Sequence, residues 1–199
     1  MSSYSHTQYG LRHNFTMQDP LIPYYHTANP DNRSSFLTNI GLRAYPTASY
    51  TPPNHAATFL IANFVSAYLL LAPRTPKQWY GLDHNSSPRE DVEKYGPAMV
   101  SSGKISQKTL NMIKRWGFAH NNAIENYPLF MGGVLLGTVA GVETGKLNGL
   151  MALYTVARLG YAVAYVMIEG DVTSQVRGLL WWTGNICCLT MMGMAGRRL

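Results

Sequence analysis

Four long apolar runs constrain the fold of this 199-residue chain more than any other feature. They cover residues 56–72, 118–142, 147–168 and 178–195, and charged or glycine-containing segments separate them. A helix of about 20 mostly apolar residues can cross the hydrocarbon core of a bilayer, so each run is close to the required length. One such run also fits the core of a soluble protein, but four in succession favour a membrane bundle. The sequence therefore predicts an all-α integral membrane protein with four spans.

Composition excludes several other classes of protein. Apolar residues make up 46% of the chain, which excludes general disorder, and the only cysteines are the neighbours Cys187 and Cys188, which excludes a disulfide scaffold. We interpret both cysteines as packing residues. The six histidines have no metal-ligand spacing, so no metal site is predicted. The basic residues after the first run alternate with Asp91 and Glu93 and have no aromatic platforms among them, so nucleic-acid binding is not expected.

The polar segments predict the domain organisation and the orientation. Residues 1–54 are polar and lack periodicity, so we expect an irregular extension before a membrane domain at residues 55–199. The first 20 residues contain no apolar core, so the first run is predicted to be an uncleaved anchor. Eight lysines and arginines lie between residues 74 and 115, against three in the extension. The positive-inside rule then places this connection in the cytosol and both termini in the lumen.

Small residues are spaced for close packing of helices within lipid. Gly133, Gly137 and Gly141 recur every fourth residue in the second run, and Ala157, Gly160 and Ala164 form a similar face in the third. This spacing predicts that neighbouring backbones approach closely.

Polar side chains inside the runs indicate where chemistry is expected, because burying them in lipid is costly without a partner or a purpose. At helical spacing, Phe118, Asn122, Glu125 and Asn126 share one stripe of the second run. Arg158 in the third run is the natural partner for an ionised Glu125. Two interpretations remain open: a Glu–Arg pair that fixes helix register, or a pocket for an anionic ligand near the cytosolic end. Such a pocket would include the tyrosines on the face of the arginine, Tyr161 and Tyr165.

Three strings resemble one family. AHNNAIENYPLF at residues 119–130 resembles the second-helix signature of the MAPEG family, the membrane-associated proteins of eicosanoid and glutathione metabolism. ARLGYAVAY at residues 157–165 is similar to the third-helix motif of that family. RGLLW at residues 177–181 resembles the arginine and aromatic that open its fourth helix. The resemblance covers about residues 56–199, with the motifs in the family's order.

The resemblance implies a left-handed four-helix bundle, assembled as a homotrimer in the endoplasmic reticulum membrane. Glutathione would lie between neighbouring subunits, toward the cytosol, and the substrate would be a lipophilic small molecule. The implied catalytic residues are Arg177, beside the thiol, together with Tyr161 and Glu125. Glutathione itself would be bound by Asn122, Glu125, Arg158, Tyr161, Tyr165 and Arg115. An arginine beside the thiol lowers the thiol pKa and so supplies the nucleophilic thiolate at neutral pH.

The sequence departs from the family pattern at several positions. Phe118 stands where the family has a ligand-binding arginine, and Asn126 where glutathione-conjugating relatives often have an aromatic residue. Arg115 lies one turn before Phe118 and is the remaining cation of that face, with snorkelling to the interface as the alternative. Glu169 and Asp171 in the last connection would repel a glutathione carboxylate at the entrance.

Three functions follow as hypotheses. The first is a glutathione-dependent transferase, peroxidase or isomerase. The second is a glutathione-independent isomerase or cyclase that uses the same polar residues for proton transfer and charge stabilisation. The third is a non-catalytic lipid-binding protein. Phe118 argues against the first, and four polar groups at membrane depth argue against the third.

Overall fold

The computed structural model describes residues 36–40, 51–170 and 173–199, and the regular structure in these ranges is helical. The predicted extension at residues 1–54 therefore lies largely outside the described residues, as does Asp171. The helices are α1 (Phe36–Asn39), α2 (Ala56–Val65, continued by a π-helical turn at Ser66–Leu70), α3 (Arg74–Trp79), α4 (Asp91–Ser101), α5 (Gln107–Val139), α6 (Thr144–Met167) and α7 (Gln175–Gly196).

Two stretches of helix in the described residues are long and apolar enough to cross a membrane, Ala56–Trp79 and Thr144–Met167. The first and third runs are therefore helices that could cross a membrane by length and composition. The second and fourth runs are also helical, as α5 and α7, and are less apolar on average. Asparagines and a glutamate lower the average hydropathy of α5, and two tryptophans, an asparagine and four glycines lower that of α7.

Helix α5 begins at Gln107, well before the apolar run that starts at Phe118. Its first turn is capped by Ser106, whose hydroxyl accepts a hydrogen bond of 3.0 Å from the backbone N–H of Thr109. The cap lies at the boundary of the polar connection, so one continuous helix carries the chain from the connection into the apolar region. The predicted stripe of Phe118, Asn122, Glu125 and Asn126 therefore lies within a continuous helix, which fixes the directions of its side chains.

The predicted glycine ridge is confirmed in part. A Cβ on Gly133 would lie 3.2 Å from the carbonyl oxygen of Cys188 in α7, and one on Gly137 would lie 2.9 Å from the side chain of Leu147 in α6. Both glycines therefore allow neighbouring helices to approach closely, as the spacing predicts. Gly141 has a different role, because it follows the end of α5 with φ of +66°, which glycine adopts without strain.

The long helices α5, α6 and α7 pack against one another, and α2 packs against α5 and α6. The ring of Phe130 in α5 stacks on Tyr154 in α6 with centroids 4.0 Å apart. Cys187 and Cys188 are buried in the same core, as predicted for packing residues. A hydrogen bond of 2.8 Å from the Asn63 side-chain amide to the Thr155 hydroxyl joins α2 to α6.

The connection between α2 and α5 is organised around a buried ion pair. Asp91, 1% exposed at its side chain, lies 3.2 Å from the Lys77 ammonium and accepts a 3.0 Å hydrogen bond from the backbone N–H of His84. Burial raises the pKa of the Asp91 carboxyl, but the His84 N–H and the Lys77 charge outweigh burial, so the pKa lies below its ordinary value of 3.8. Arg74 pairs with Asp83 at 2.7 Å beside this cluster. The connection is thus a folded unit, held by side chains that are distant in sequence.

Candidate functional site

Arg158 is the polar centre of the helix packing. Arg158 is only 8% exposed, and its Nη2 donates hydrogen bonds to the Asn122 side-chain oxygen at 2.7 Å and to the Asn122 carbonyl at 2.9 Å. Gly184 in α7 leaves space for it, because a Cβ there would lie 3.2 Å from Arg158 Cδ. Nη1 has no hydrogen-bond partner among the described residues. A buried guanidinium with one unused donor can bind a further acceptor.

Three more of the predicted site residues continue from Arg158 along α6 and onto α7. The guanidinium carbon of Arg158 lies 4.8 Å from the ring centroid of Tyr161, and that ring is 5.4 Å from Tyr165. The guanidinium carbon of Arg177, near the start of α7, lies 4.7 Å from the Tyr165 ring. Two cations thus flank two neighbouring phenol rings, each at a cation–π distance from the nearer ring. We call Asn122, Arg158, Tyr161, Tyr165 and Arg177 the arginine–tyrosine row.

The expected pair between Glu125 and Arg158 is wrong for contacts within one chain. No ion pair joins them, and Glu125 is exposed on α5 without an ionic partner among the described residues. Asn122 lies one turn earlier and takes the place at Arg158 that the carboxylate was expected to fill. The physical reason is desolvation: a neutral amide can accept from a buried guanidinium at lower cost than a carboxylate that must leave water. Glu125 is therefore free to bind a ligand or a second subunit.

Asn126, the last member of the predicted stripe, faces the interior. Its side-chain amide donates to the Asn185 side-chain oxygen at 2.8 Å, and its own oxygen accepts from the Tyr154 hydroxyl at 3.2 Å. Sequence reasoning missed Asn185 and Tyr154. The available signal was an asparagine inside a charge-free apolar run, because such a residue needs a hydrogen-bonding partner within the protein. This network fixes the rotation of α5 and hence the directions of Asn122 and Glu125.

The side chain of Arg115, in the first half of α5, contacts the C-terminal end of α6 rather than the arginine–tyrosine row. Its Nε donates to the Val166 carbonyl at 3.0 Å, and its Nη2 lies 2.8 Å from the Glu169 carboxylate. The predicted binding role of Arg115 would have to compete with this ion pair. The same pair neutralises Glu169, so the expected repulsion from that carboxylate is reduced. Phe118 is 56% exposed and lines a cavity against the connection.

Other polar groups have structural partners. His120 lies 2.9 Å from the Ala67 carbonyl through its Nδ1, and Trp116 donates from Nε1 to the Leu71 carbonyl at 3.1 Å. Both acceptors lie in or just after the π-helical turn, whose altered hydrogen bonding leaves carbonyls for side chains to bind. No group of three or more potential ligands could hold a metal ion in the described part of the chain.

A family model described as the MAPEG family matches residues 55–197. The chain belongs to the MAPEG family. The match contains every predicted site residue, so the arginine–tyrosine row lies within the part of this MAPEG protein that is shared with its relatives. No curated protein and no solved structure matches the chain. Family membership and the two apolar helices make this a membrane protein of a family linked to glutathione and eicosanoid metabolism.

The geometry predicts that substitutions of two polar residues of α5, Asn122 and Glu125, differ in their effect on the free energy of unfolding. Asn122→Leu removes a charge-assisted acceptor from buried Arg158, so we expect a loss of about 2 kcal/mol in the free energy of unfolding. Glu125→Gln removes no contact within the chain and is expected to leave stability within about 0.5 kcal/mol of the parent. Denaturant unfolding of both variants in the same detergent measures the difference. Equal destabilisation by the two substitutions would contradict the assignment of Asn122 as the partner of Arg158.

Proposed function

We propose that this MAPEG protein is a membrane enzyme that uses glutathione as a co-substrate on a lipophilic small molecule, in a transferase, peroxidase or isomerase reaction. Four helices (α2, α5, α6 and α7) would cross the endoplasmic reticulum membrane and assemble as a homotrimer. The observation that carries the proposal is the arginine–tyrosine row. It supplies two cations and two phenols in a chain of contacts, and Glu125 on α5 has no ionic partner among the described residues.

The residues fit an anionic tripeptide by their chemistry. The unused Nη1 of Arg158 is an orphaned buried donor, and Arg177 has no ion pair within the described residues. Glu125 offers the complementary negative charge for an amino group. Because Glu125 has no ionic partner among the described residues, a ligand held between subunits would give it one. Charge-assisted hydrogen bonds of this kind are about twice as strong as neutral ones.

Glutathione would supply a thiol nucleophile, and the chain would control its proton. Arg177 lowers the pKa of a nearby thiol because its fixed positive charge favours the ionised form. Stacking against Tyr165 holds the guanidinium in place, and among the described residues its Nε hydrogen-bonds only to the Ser174 carbonyl, at a long distance of 3.4 Å. The Tyr161 hydroxyl would donate a hydrogen bond to charge that develops on the substrate. A bound ligand that displaced water would strengthen each of these electrostatic interactions.

A second candidate is favoured by Phe118. Without a cation at this position, the tripeptide has weaker anchorage, and the row is then better suited to a glutathione-independent isomerase or cyclase. In that reaction Glu125, Arg158, Arg177 and the tyrosines would transfer protons and stabilise charge on a lipophilic intermediate. A non-catalytic lipid-binding protein is the third candidate, and four polar groups at membrane depth disfavour it.

Titration with glutathione separates these candidates. We expect a thiolate absorbance signal that saturates with a dissociation constant in the range of about 1 mM or above, because Phe118 replaces a cation. Phe118→Arg is expected to tighten binding about tenfold through a new charge-assisted contact, whereas the matched control Phe118→Leu, which adds no charge, should not. Turnover of the native substrate without glutathione, together with no thiolate signal at any glutathione concentration, would overturn the proposal in favour of the second candidate.

The proposed orientation has its own test. With the connection in the cytosol, the acceptor sites Asn14-Phe-Thr and Asn32-Arg-Ser are luminal, and Asn85-Ser-Ser is cytosolic. In a eukaryotic microsomal system we expect any added sugar at Asn14 or Asn32, removable by Asn→Gln at that position. The first two sites lie outside the described residues, and Asn85 is exposed in the connection. Sugar at Asn85 would mean that the orientation is inverted.

A further inference from the structure

A second cavity lies away from the arginine–tyrosine row, between the connection and the first half of α5. Its volume is about 660 Å³, and none of the row residues lines it. Its lining includes the basic residues Arg74, Lys77, Arg89 and Lys114 and the carboxylate of Glu93. Apolar residues also line it, namely Val92, Ile113, Phe118 and Ile124. The cavity is therefore amphipathic, with a surplus of positive charge.

The four cations differ in how far they are already neutralised. Lys77 is buried against Asp91, and Arg74 is paired with Asp83. Lys114 lies 3.0 Å from Glu93, a carboxylate that is largely exposed and can turn into water. Arg89 is exposed and forms no ion pair or hydrogen bond through its side chain within the described residues. Arg89 and Lys114 are therefore the charges available to an anionic group.

Two tryptophans close to the cavity-lining residues favour a position for this cavity at the level of the membrane interface. Trp116 and Trp79 meet edge to face with ring centroids 5.7 Å apart, and Trp79 is exposed. Tryptophans are enriched where the headgroups meet the hydrocarbon, because one end of the ring is apolar and the other is polar. Phe118, one turn further into α5 than Lys114, exposes more than half of its surface beside the cavity. A ligand there meets cations on the aqueous side and apolar surface on the membrane side.

We propose that this cavity binds the headgroup of an anionic phospholipid. The phosphate would lie between Arg89 and Lys114, and the start of the acyl chains would cover Phe118 and Ile124. Charge complementarity selects an anion, because Arg89 has no ionic partner among the described residues and Glu93, the partner of Lys114, is exposed and can turn into water. The apolar lining residues and the interfacial depth select a lipid over a soluble phosphate, which gains nothing from apolar surface. None of the residues of the arginine–tyrosine row lines this site.

Electron spin resonance of spin-labelled lipids tests the site in the intact protein. The protein is reconstituted in phosphatidylcholine, and the association of labelled phosphatidylglycerol is compared with that of labelled phosphatidylcholine. We expect the anionic lipid to be preferred, and Arg89→Gln to reduce the preference about fivefold. Lys104→Gln is the matched control, because Lys104 is an exposed lysine of the same connection that does not line the cavity.

Three outcomes would overturn the proposal. Equal association of the two lipids would show that the cavity does not select anionic headgroups. An equal loss in Lys104→Gln would show that the general positive charge of the connection attracts the lipid. Displacement of the labelled lipid by inorganic phosphate or glutathione, at constant ionic strength, would assign the cavity to a soluble anion. None of these results bears on the thiolate titration, so the two proposals fail separately.

Discussion

Replacing Arg177 by alanine is expected to abolish the thiolate signal of bound glutathione at pH 7. The proposed function requires the thiol pKa to fall by about 1.5 to 2, which corresponds to about 2–3 kcal/mol of preferential stabilisation of the ionised form. Arg177 is suited to supply it, because it is held over Tyr165 and has no ionic partner in the described residues. Without this charge, we expect the fraction of thiolate and the turnover to fall about thirty- to a hundredfold.

Ultraviolet absorbance of the thiolate at saturating glutathione measures the effect, and the rate with a lipophilic electrophile measures its consequence. Arg197→Ala is the matched control, because Arg197 is exposed at the other end of the same helix. It should leave both quantities unchanged. A normal thiolate signal in Arg177→Ala would remove Arg177 from the proposed catalytic role, and an equal loss in Arg197→Ala would attribute the effect to net charge.

The helices could be predicted from the sequence because apolar runs of sufficient length have few alternatives. All four runs are helical, and membrane crossing by length and composition is supported for the first and third. The start of α5 was missed because the residues between Gln107 and Phe118 are polar on average, and only the Ser106 cap marks the boundary. Hydropathy identifies the part of a helix that can be buried in lipid. The first residue of the helix is instead set by where its free backbone N–H groups are capped.

The polar site was predictable as a set of residues but not as a set of partners. Spacing places Asn122 and Glu125 on one stripe, and both are within one turn of the position that faces Arg158. Which of the two binds Arg158 depends on the free-energy cost of desolvating a carboxylate. The spacing of residues in the sequence contains no information about this cost. By contrast, the sequence of residues from Arg158 through Tyr161 to Tyr165 follows directly from their spacing on one helix face, and the structure places them in line.

The connection shows the limit of reasoning from composition. Its composition predicts a basic cytosolic connection, yet Lys77 and Asp91 are among its most buried residues. Their contact joins residues fourteen positions apart across a turn that contains His84 and Pro88. Pairings of this kind are set by the path of the chain through tertiary contacts, which local sequence patterns do not encode.

Asp91→Asn is expected to destabilise this connection by about 3 kcal/mol, because it leaves the buried Lys77 ammonium without its carboxylate. This expected destabilisation is at the low end for buried ion pairs, because Lys77 keeps two other partners. Its ammonium also donates to the Pro88 carbonyl and lies 3.8 Å from Asp83. Hydrogen exchange of the amides in residues 74–101 should accelerate about a hundredfold at neutral pH. Glu90→Gln is the control, because Glu90 is the adjacent carboxylate, is exposed, and forms no ion pair through its side chain among the described residues.

The same pair predicts how the connection responds to acid. Because the pKa of Asp91 is lowered in the folded protein, its contribution is complete above the ordinary value of 3.8 and is lost as the pH falls through the lowered pKa. Exchange in the parent protein, corrected for the intrinsic pH dependence, should therefore accelerate below about pH 4, and in Asp91→Asn this acceleration should be absent. An acid response of equal size in Asp91→Asn would assign it to other carboxylates, with Asp83 the first candidate because Arg74 lowers its pKa as well.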